Sequence, residues 1–436
     1  MSTWQDLVTA SLIGTERSAV PPVAVPGLPT PADAPADPAA ILLDRAALLT
    51  VARRGGRLAG HADPLPAAEP DPAAVVSPAA GRRLARMLSG EHPDLLAEWL
   101  SATVTHGRRV PAHLLPALLD RARRVSSAGP ELRRLAALAG GSRARWLAGL
   151  NRDWAFVAAH TRPGDGAWRL GDAGQRRGYL AALRAQDPDA ARELIAASWD
   201  AAGPERVMFL SVLADRLSPA DEPMLEAALG DRAQDVRGWA AYLLASLPRS
   251  ALGQRMAERA LGCMRIERDM RGTRLIAIPP AECDAAMRRD GITPRPGGGR
   301  LPLDDRTHLM LEVLARTPLL TWSNEFGRSA EQILAVPSGA WEPVLLAGWS
   351  RAAMAQLDQE WMAALINRAL ADGPPGKLFG AEILRQLVRR VDPALVASET
   401  IASRDAGPPP AIHDAITVLR FRYDMLKELD VDHSDG

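Results

Sequence analysis

The sequence predicts an all-α chain, an α-solenoid in which short helical hairpins stack one on another. Three observations support this prediction. The alternation of polar and apolar residues that is typical of half-buried strands is almost absent from the 436 residues. Short stretches with helical spacing of apolar residues follow one another instead, separated by glycine or proline. In the middle of the chain, one such stretch recurs at a nearly constant interval.

The first region, 1–78, combines two predicted helices with proline-rich connections. Apolar residues on one face predict a helix between Thr3 and Gly14, and a second helical pattern covers 39–54. Proline cannot continue a helix, because it lacks an N–H group and clashes with the preceding turn. We therefore expect an extended segment containing Pro21, Pro22, Pro26, Pro29, Pro31, Pro35 and Pro38. A second proline- and alanine-rich link covers 64–78.

The second region, 79–170, is predicted to be helical and is strongly basic. Its predicted helices span 79–89, 93–105, 111–125, 130–139 and 142–150. The whole chain has a net charge of 0, yet residues 106–152 contain ten arginines against two acidic residues. Nine of them form a candidate anion-facing surface: Arg108, Arg109, Arg121, Arg123, Arg124, Arg133, Arg134, Arg143 and Arg145.

Two interpretations of this basic stretch stay open. The arginines can be solvated outer faces of helices that pair with acidic residues from other parts of the chain. Alternatively, they form a surface for an acidic partner or for a nucleic-acid backbone. The zero net charge excludes only a uniformly cationic nucleic-acid-binding protein.

A repeat occupies the third region, 171–270. Three similar segments begin at Arg177, Arg206 and Arg237, which are 29 and 31 residues apart. The proline-started helices that follow the first two segments are Pro188–Trp199 and Pro219–Leu229. Each unit is therefore predicted to be two short helices joined by a turn. Such a hairpin buries its apolar face only by stacking on its neighbours.

The segment Leu225–Pro248 resembles a HEAT repeat almost position by position. The resemblance implies that Asp231 lies in the turn between two helices and that Val236-Arg237 opens the second helix. It also implies that Arg237 bonds carboxylates or carbonyls of that turn. The residues with an expected structural role in the repeat are Asp231, Val236, Arg237, Ala240 and Leu244.

A wider resemblance begins at the N-terminus with Trp4-Gln-Asp-Leu7 and Gly14-Thr15-Glu-Arg17. Together with the run from Tyr179 through Asp231-Arg232 to Arg259, these residues resemble an uncharacterised domain-of-unknown-function family that is common in actinobacteria (DUF5691-like). The resemblance brings no catalytic motif. It implies protein partners, because such proteins are often encoded beside a SWIM zinc-finger protein, a MoxR-like AAA+ ATPase and a von Willebrand factor A-domain protein.

The rest of the chain comprises an irregular insertion or loop over 271–304, C-terminal helical repeats over 305–430 and an acidic tail over 431–436. Arg274–Pro279 is the one short run that fits a strand, and Gly297–Gly299 is predicted to be a flexible loop. Near the end, an apolar stripe predicts an amphipathic helix through Ile412, Ile416, Leu419, Tyr423 and Leu426.

No pattern predicts a catalytic residue, a metal site or a cofactor. The eight histidines are scattered, and Cys263 and Cys283 have no histidine nearby, so we expect buried structural thiols. Neither a signal peptide nor a long apolar stretch is present, which predicts a cytoplasmic protein without a membrane span. The sequence favours a non-enzymatic protein but leaves enzymatic activity open.

Two functional hypotheses follow. The leading one is a scaffold that binds protein partners, including the AAA+ ATPase, von Willebrand A-domain or SWIM zinc-finger proteins that the resemblance implies. The alternative is a nucleic-acid-binding protein that uses the arginines of 106–152. HEAT-like repeats also build the alkylpurine DNA glycosylases, whose chemistry needs a carboxylate beside an aromatic cleft. Trp239 near Asp235 is the nearest such pair, but Asp235 is expected in the turn of the repeat, so we do not predict that it is catalytic.

Overall fold

The computed structural model of the protein describes residues 4–25, 37–55, 65–124, 130–160, 166–270, 272–293, 304–373, 379–396 and 409–430. Outside them lie the predicted helix cap Thr3, most of the first proline-rich segment, the Gly297–Gly299 loop and the acidic tail 431–436. Helices dominate the described residues, which confirms the predicted all-α fold. The chain divides into two compact units, Met1–Ala67 and Ala68–Gly436.

The first unit contains two helices, α1 (Trp4–Ile13) and α2 (Pro38–Gly55). Leu7 and Ala10, three residues apart, are buried on one face of α1, whereas Trp4 and Leu12 are exposed. Within the connection that follows α1, the backbone carbonyls of Val20 and Pro21 accept hydrogen bonds from Arg45 Nη1 at 2.7 and 2.9 Å. Arg45 belongs to α2, so these bonds hold the connection against that helix.

The second unit begins with α3 (Pro78–Leu88), α4 (Leu96–Thr105), α5 (Leu115–Arg124) and α6 (Pro130–Leu150). Two-residue strands, β1 (Ala74–Val75) and β2 (Arg108–Arg109), pair in parallel beside these helices. Leu84, Trp99 and Leu118 are fully buried in the core of this part. The backbone leaves helical geometry at Gly141, between the two helices that the sequence predicts over 130–139 and 142–150.

Short helices continue the unit: α7 (Gly166–Arg169), α8 (Ala173–Gln186), α9 (Pro188–Ser198), α10 (Arg206–Leu213), α11 (Glu222–Ala228), α12 (Gln234–Ala245) and α13 (Ala251–Leu261). Helix α8 packs against α9 and α10, α10 packs against α12, and α12 packs against α11 and α13. Leu180, Leu210 and Leu244 are fully buried between them. Helices α8 to α13 thus bury apolar side chains on their neighbours.

An antiparallel hairpin follows, formed by β3 (Met264–Asp269) and β4 (Gly272–Ala277). The sequence predicted one strand at Arg274–Pro279, which overlaps β4, and missed β3. Charged residues occupy four of the six positions of β3, and most of its side chains are exposed. A mostly charged strand lacks the alternation of apolar and polar residues by which a strand is predicted from sequence. Strand β3 is therefore recognised only from its hydrogen-bonded pairing with β4.

The last helices are α14 (Ala285–Arg289), α15 (Asp305–Arg316), α16 (Leu320–Phe326), α17 (Ala330–Leu334), α18 (Glu342–Gln356), α19 (Gln359–Asp372), α20 (Ala381–Val388) and α21 (Pro410–Asp430). Helices α15 and α18 approach closely at Gly348, where a Cβ atom would lie 2.6 Å from that of Leu314. Trp322, Trp349 and Trp361 are buried nearby and contact one another in sequence order, with ring centroids 6.3 and 5.4 Å apart.

Seven 3-10 segments connect these elements: Pro93–Leu95, Ala112–Leu114, Arg152–His160, Gly203–Glu205, Pro219–Asp221, Gly339–Trp341 and Pro393–Leu395. Most of them lead directly into a helix, as Pro219–Asp221 leads into α11. Tightened first turns of this kind are common at helix ends.

Helix α21 joins the last helices of the second unit to its first. Its N-terminal half packs against α20, and its C-terminal half packs against α3 and α4. Arg422 donates to both carboxylate oxygens of Glu98, at 2.7 to 3.0 Å, and to the carbonyls of Val388 and Val391. The sequence did not predict this contact, since an open linear array has none between its last and first helices.

Candidate binding groove

Two neighbouring cavities of the second unit form the candidate functional site. The first has a volume of about 420 Å³ and lies between α12, α14 and α15. The second has a volume of about 300 Å³ and lies between α12, α15, α18 and α20. Glu312 and Arg316 line both cavities, which together we name the groove. Its other charged, amide and aromatic side chains are Gln234, Asp235, Arg237, Trp239, Tyr242, Arg288, Arg351, Gln386 and Arg390.

Helix α12 presents two exposed aromatic side chains to the groove. Val236, Ala240 and Leu244 are buried in the core. Because an α-helix has 3.6 residues per turn, Trp239 and Tyr242 lie on its other, solvent-facing side. Trp239 is 36% exposed and Tyr242 is 53% exposed. Their rings meet edge to face with centroids 5.9 Å apart. Aromatic residues are enriched at protein interfaces, so this pair makes the face of α12 a candidate binding surface.

The loop that follows α14 is firmly anchored and forms one wall of the groove. Asp290 is buried, and its carboxylate accepts hydrogen bonds from Arg255 Nε at 3.0 Å and Arg259 Nη1 at 2.6 Å. Gly291 has φ +78°, and a Cβ atom there would lie 2.5 Å from a side chain of α12. Only glycine fits this backbone at this distance. The anchored loop therefore holds Arg288 at the first cavity.

A carboxylate and two arginines occupy the junction of the two cavities. Glu312 accepts a hydrogen bond from Arg316 Nη1 at 2.7 Å and forms a longer ion pair with Arg351 Nη1 at 3.5 Å. Burial alone would raise the pKa of Glu312, but the charge and hydrogen bond of Arg316, together with the charges of His308 and Arg351, outweigh it, and the pKa is lowered from the ordinary 4.5. Glu312 is therefore ionised at neutral pH and holds both guanidinium groups in place.

The second cavity combines an apolar floor with a charged rim. Its apolar lining residues are Ala245, Ala315, Met354 and Ala355. Arg390 lies at the rim, where its Nη1 atom is 3.8 Å from Met354 Sδ and donates to the carbonyl of Gln386. Arg351 and Arg390 are both exposed. An apolar side chain of a ligand can therefore enter this cavity beside two accessible guanidinium groups.

The groove is cationic. Five arginines line it, against two carboxylates, Asp235 and Glu312. Arginine binds carboxylate and phosphate groups through several N–H donors at once, so the groove suits an anionic ligand. Glu312 forms ion pairs with Arg316 and Arg351. Asp235 is the other acid among the described lining residues.

Most of the nine arginines of the predicted anion-facing surface interact within their own part of the chain. Three pair with nearby acids: Arg123 with Asp153 at 3.5 Å, Arg124 with Asp120 at 3.8 Å and Arg134 with Glu131 at 2.6 Å. Three donate to uncharged oxygens: Arg109 to the carbonyl of Ala73, Arg133 to that of Ala122 and Arg145 to Ser142 Oγ. Arg108 is half-buried in β2, whereas Arg121 and Arg143 are exposed.

Asp71, which precedes the basic stretch in sequence, also neutralises part of it. The backbone N–H of Ser142 donates to Asp71 Oδ2 at 2.8 Å. This hydrogen bond lowers the pKa of Asp71, and Arg109 and Arg145 contribute through their charges. Apart from Asp71, the three acids that pair with arginines of this stretch lie within residues 120–153 and not in other parts of the chain, and the anion-facing surface stays a prediction.

The residues with an expected role in the repeat lie around α12. Asp231 precedes the helix and accepts a hydrogen bond from Arg206 Nη1 at 2.9 Å. Arg237 lies in the first turn and donates to the carbonyls of Asp231 and Arg232 at 2.8 and 2.9 Å. Val236, Ala240 and Leu244 are buried.

The sequence missed most of the groove. Trp239 was noted beside Asp235, and both residues line the first cavity. Trp239 and Tyr242 are three residues apart, a spacing that places both rings on one face of a helix. This spacing is the sequence signal for the aromatic pair. The arginines at 288, 316, 351 and 390 are spread over about 100 residues and share no motif, so only tertiary packing brings them together.

The described residues contain neither a metal-binding cluster nor a helix that could cross a membrane. No group of three or more His, Cys, Asp or Glu side chains in this part of the chain is placed to hold a metal ion. None of the helices that the structure describes has both the length and the apolar character that a membrane crossing requires.

Comparisons with known proteins identify the family of the chain. Residues 6–380 match the family described as "Family of unknown function (DUF5691)". No curated protein and no solved structure matches the chain. The matched range covers most of the sequence and includes α12, α15 and α18, which carry the larger part of the groove. We conclude that the chain belongs to the DUF5691 family.

Proposed function

We propose that the protein is a non-enzymatic helical-repeat scaffold, a HEAT-like α-solenoid, that binds a partner protein in the groove. The observation that carries this proposal is the exposed pair Trp239 and Tyr242 beside five arginines. Tryptophan, tyrosine and arginine are the residue types that contribute most binding energy at protein interfaces. The stacked short helices support the scaffold role, because such arrays offer extended surfaces.

The partners that fit this role best are those that the family resemblance implies: an AAA+ ATPase, a von Willebrand A-domain protein or a SWIM zinc-finger protein. The alternative of nucleic-acid binding through residues 106–152 has less support. Three of the nine arginines singled out there, Arg123, Arg124 and Arg134, pair with acids of the protein. Each such pair reduces the net charge available to a phosphate backbone.

Affinity purification of the tagged full chain from cells that express it naturally tests the proposal. We expect the chain to retain one of these three kinds of protein, and a variant with Trp239→Ala and Tyr242→Ala to lose it. Trp4→Ala is a control, because Trp4 is also exposed (38%) but belongs to the first unit. Retention of the same partner by the double variant would contradict the placement of the interface, and absence of all three would contradict the partner set.

A further inference from the structure

We propose that the groove binds an acidic peptide segment that carries an apolar side chain among its carboxylates. This inference rests on the proposed function and names the chemistry of the partner at its contact site. The apolar side chain enters the second cavity against Met354, and the flanking carboxylates pair with Arg351, Arg390 and Arg288.

The arginines are suited to this role because their known contacts use only part of each guanidinium group. Arg288 donates from Nη1 to the carbonyl of Cys283 at 2.7 Å, and Arg390 donates from Nη1 to that of Gln386. A guanidinium group has five N–H donors. Among the described residues, these backbone contacts orient both side chains and leave donors on Nε and Nη2 of each.

The first cavity adds an aromatic contact to the charged ones. Trp239 and Tyr242 lie on the face of α12 that borders both cavities, with Gly238 beside them. A Cβ atom at Gly238 would meet no neighbour within 4 Å, so the helix backbone is accessible there. A peptide can therefore lie along α12 and pack on both rings, whose large faces gain binding energy when a partner covers them.

The groove fits a peptide better than a single-stranded nucleic acid. A nucleic-acid backbone carries a negative charge at every link, whereas carboxylates occur at both the first cavity (Asp235) and the junction (Glu312) of the groove. The floor of the second cavity is formed by Met354 and three alanines, which offer nothing to a phosphate. A peptide can place carboxylates at the arginines and an apolar side chain at this floor.

Fluorescence anisotropy with the full chain tests the inference. The probe is a labelled short peptide of glutamate and aspartate with one central leucine, and the comparison probes are the same peptide with serine for leucine and an oligothymidine of matching length. We expect the leucine peptide to bind most tightly. Arg351→Glu should weaken its binding by about tenfold or more, because one attraction becomes a repulsion.

Arg134→Glu is the matched control, because Arg134 and Arg351 are 45% and 43% exposed and each has one acidic partner. We expect it to leave binding unchanged, and Arg390→Glu to repeat the effect of Arg351→Glu. Thermal unfolding of each variant shows whether it is folded. Tighter binding of oligothymidine, equal binding of the serine peptide or insensitivity to both groove variants would overturn the inference. If the natural partner still depended on Trp239 and Tyr242, the proposed function would survive that result.

Discussion

At the scale of single residues, a buried ion pair between Arg184 and Asp221 holds α8 beside the segment that opens α11. Both side chains are fully buried, and Arg184 Nη2 donates to Asp221 Oδ2 at 2.6 Å. Arg192 Nε donates to the other carboxylate oxygen at 2.9 Å. Arg184 also donates to the carbonyls of Asp215 and Arg216, so each charge is surrounded by hydrogen bonds.

We expect Asp221→Asn to destabilise the protein by about 3–5 kcal/mol, because it leaves the Arg184 charge buried without a counterion. Urea unfolding would measure this loss. Asp189→Asn is the control: Asp189 also pairs with Arg192 but is 78% exposed, so its loss should cost at most about 1 kcal/mol. Equal effects of the two substitutions would contradict the role of burial.

The same ion pair predicts a dependence on pH. Burial alone would raise the pKa of Asp221, but hydrogen bonds from Arg184 and Arg192 outweigh it, so the pKa lies below the ordinary 3.8. The stabilisation is therefore present above pH 3.8 and is lost as the pH falls through the lower pKa of the folded state. Urea unfolding of the wild type and of Asp221→Asn should show their difference narrowing in acid, and a constant difference would contradict this assignment.

Glu312 gives a second prediction at this scale, which concerns binding. Glu312→Gln removes the negative charge at the junction of the groove, so we expect the acidic leucine peptide to bind several-fold more tightly. Anisotropy titrations at two salt concentrations would measure the change, which should diminish at higher salt. Glu331→Gln on α17 is a control that leaves the groove intact. Weaker binding by Glu312→Gln would show that Glu312 acts mainly by positioning the arginines.

At the scale of elements, the loop after α14 depends on a close approach to α12. Gly291→Ala would force a side chain into a positive φ and within 2.5 Å of Ala241, so we expect a loss of about 1–3 kcal/mol. The loop directly follows α14, which carries Arg288, so peptide binding should weaken as well. Gly238→Ala is the control, since its helical site is open and alanine there should stabilise the fold by up to about 1 kcal/mol. Thermal unfolding compares the two, and an unchanged melting temperature for Gly291→Ala would refute the argument.

At the scale of the whole second unit, α21 links the helices that precede it to those that begin the unit. Arg422→Ala would leave Glu98 and two carbonyls without their partner, so we expect a loss of about 3–5 kcal/mol. Hydrogen exchange should show α4 and α20 losing protection together. Lys427→Ala changes an exposed residue of the same helix and should have little effect. Loss of protection in α20 alone would mean that α21 does not couple the two ends.

The sequence by itself determined the all-α class and the positions of many helices, because apolar spacing, proline and glycine act over a few residues. Its motifs indicated the family, and the resemblance of Leu225–Pro248 to a HEAT repeat predicted the buried face of α12 at Val236, Ala240 and Leu244, which are all buried. Tertiary structure alone decided the pairing of β3 with β4, the contact of Arg422 with Glu98 and the placement of Arg288, Arg316, Arg351 and Arg390 along one groove. Each of these joins residues through packing between elements, and local periodicity carries no information about which distant helices meet.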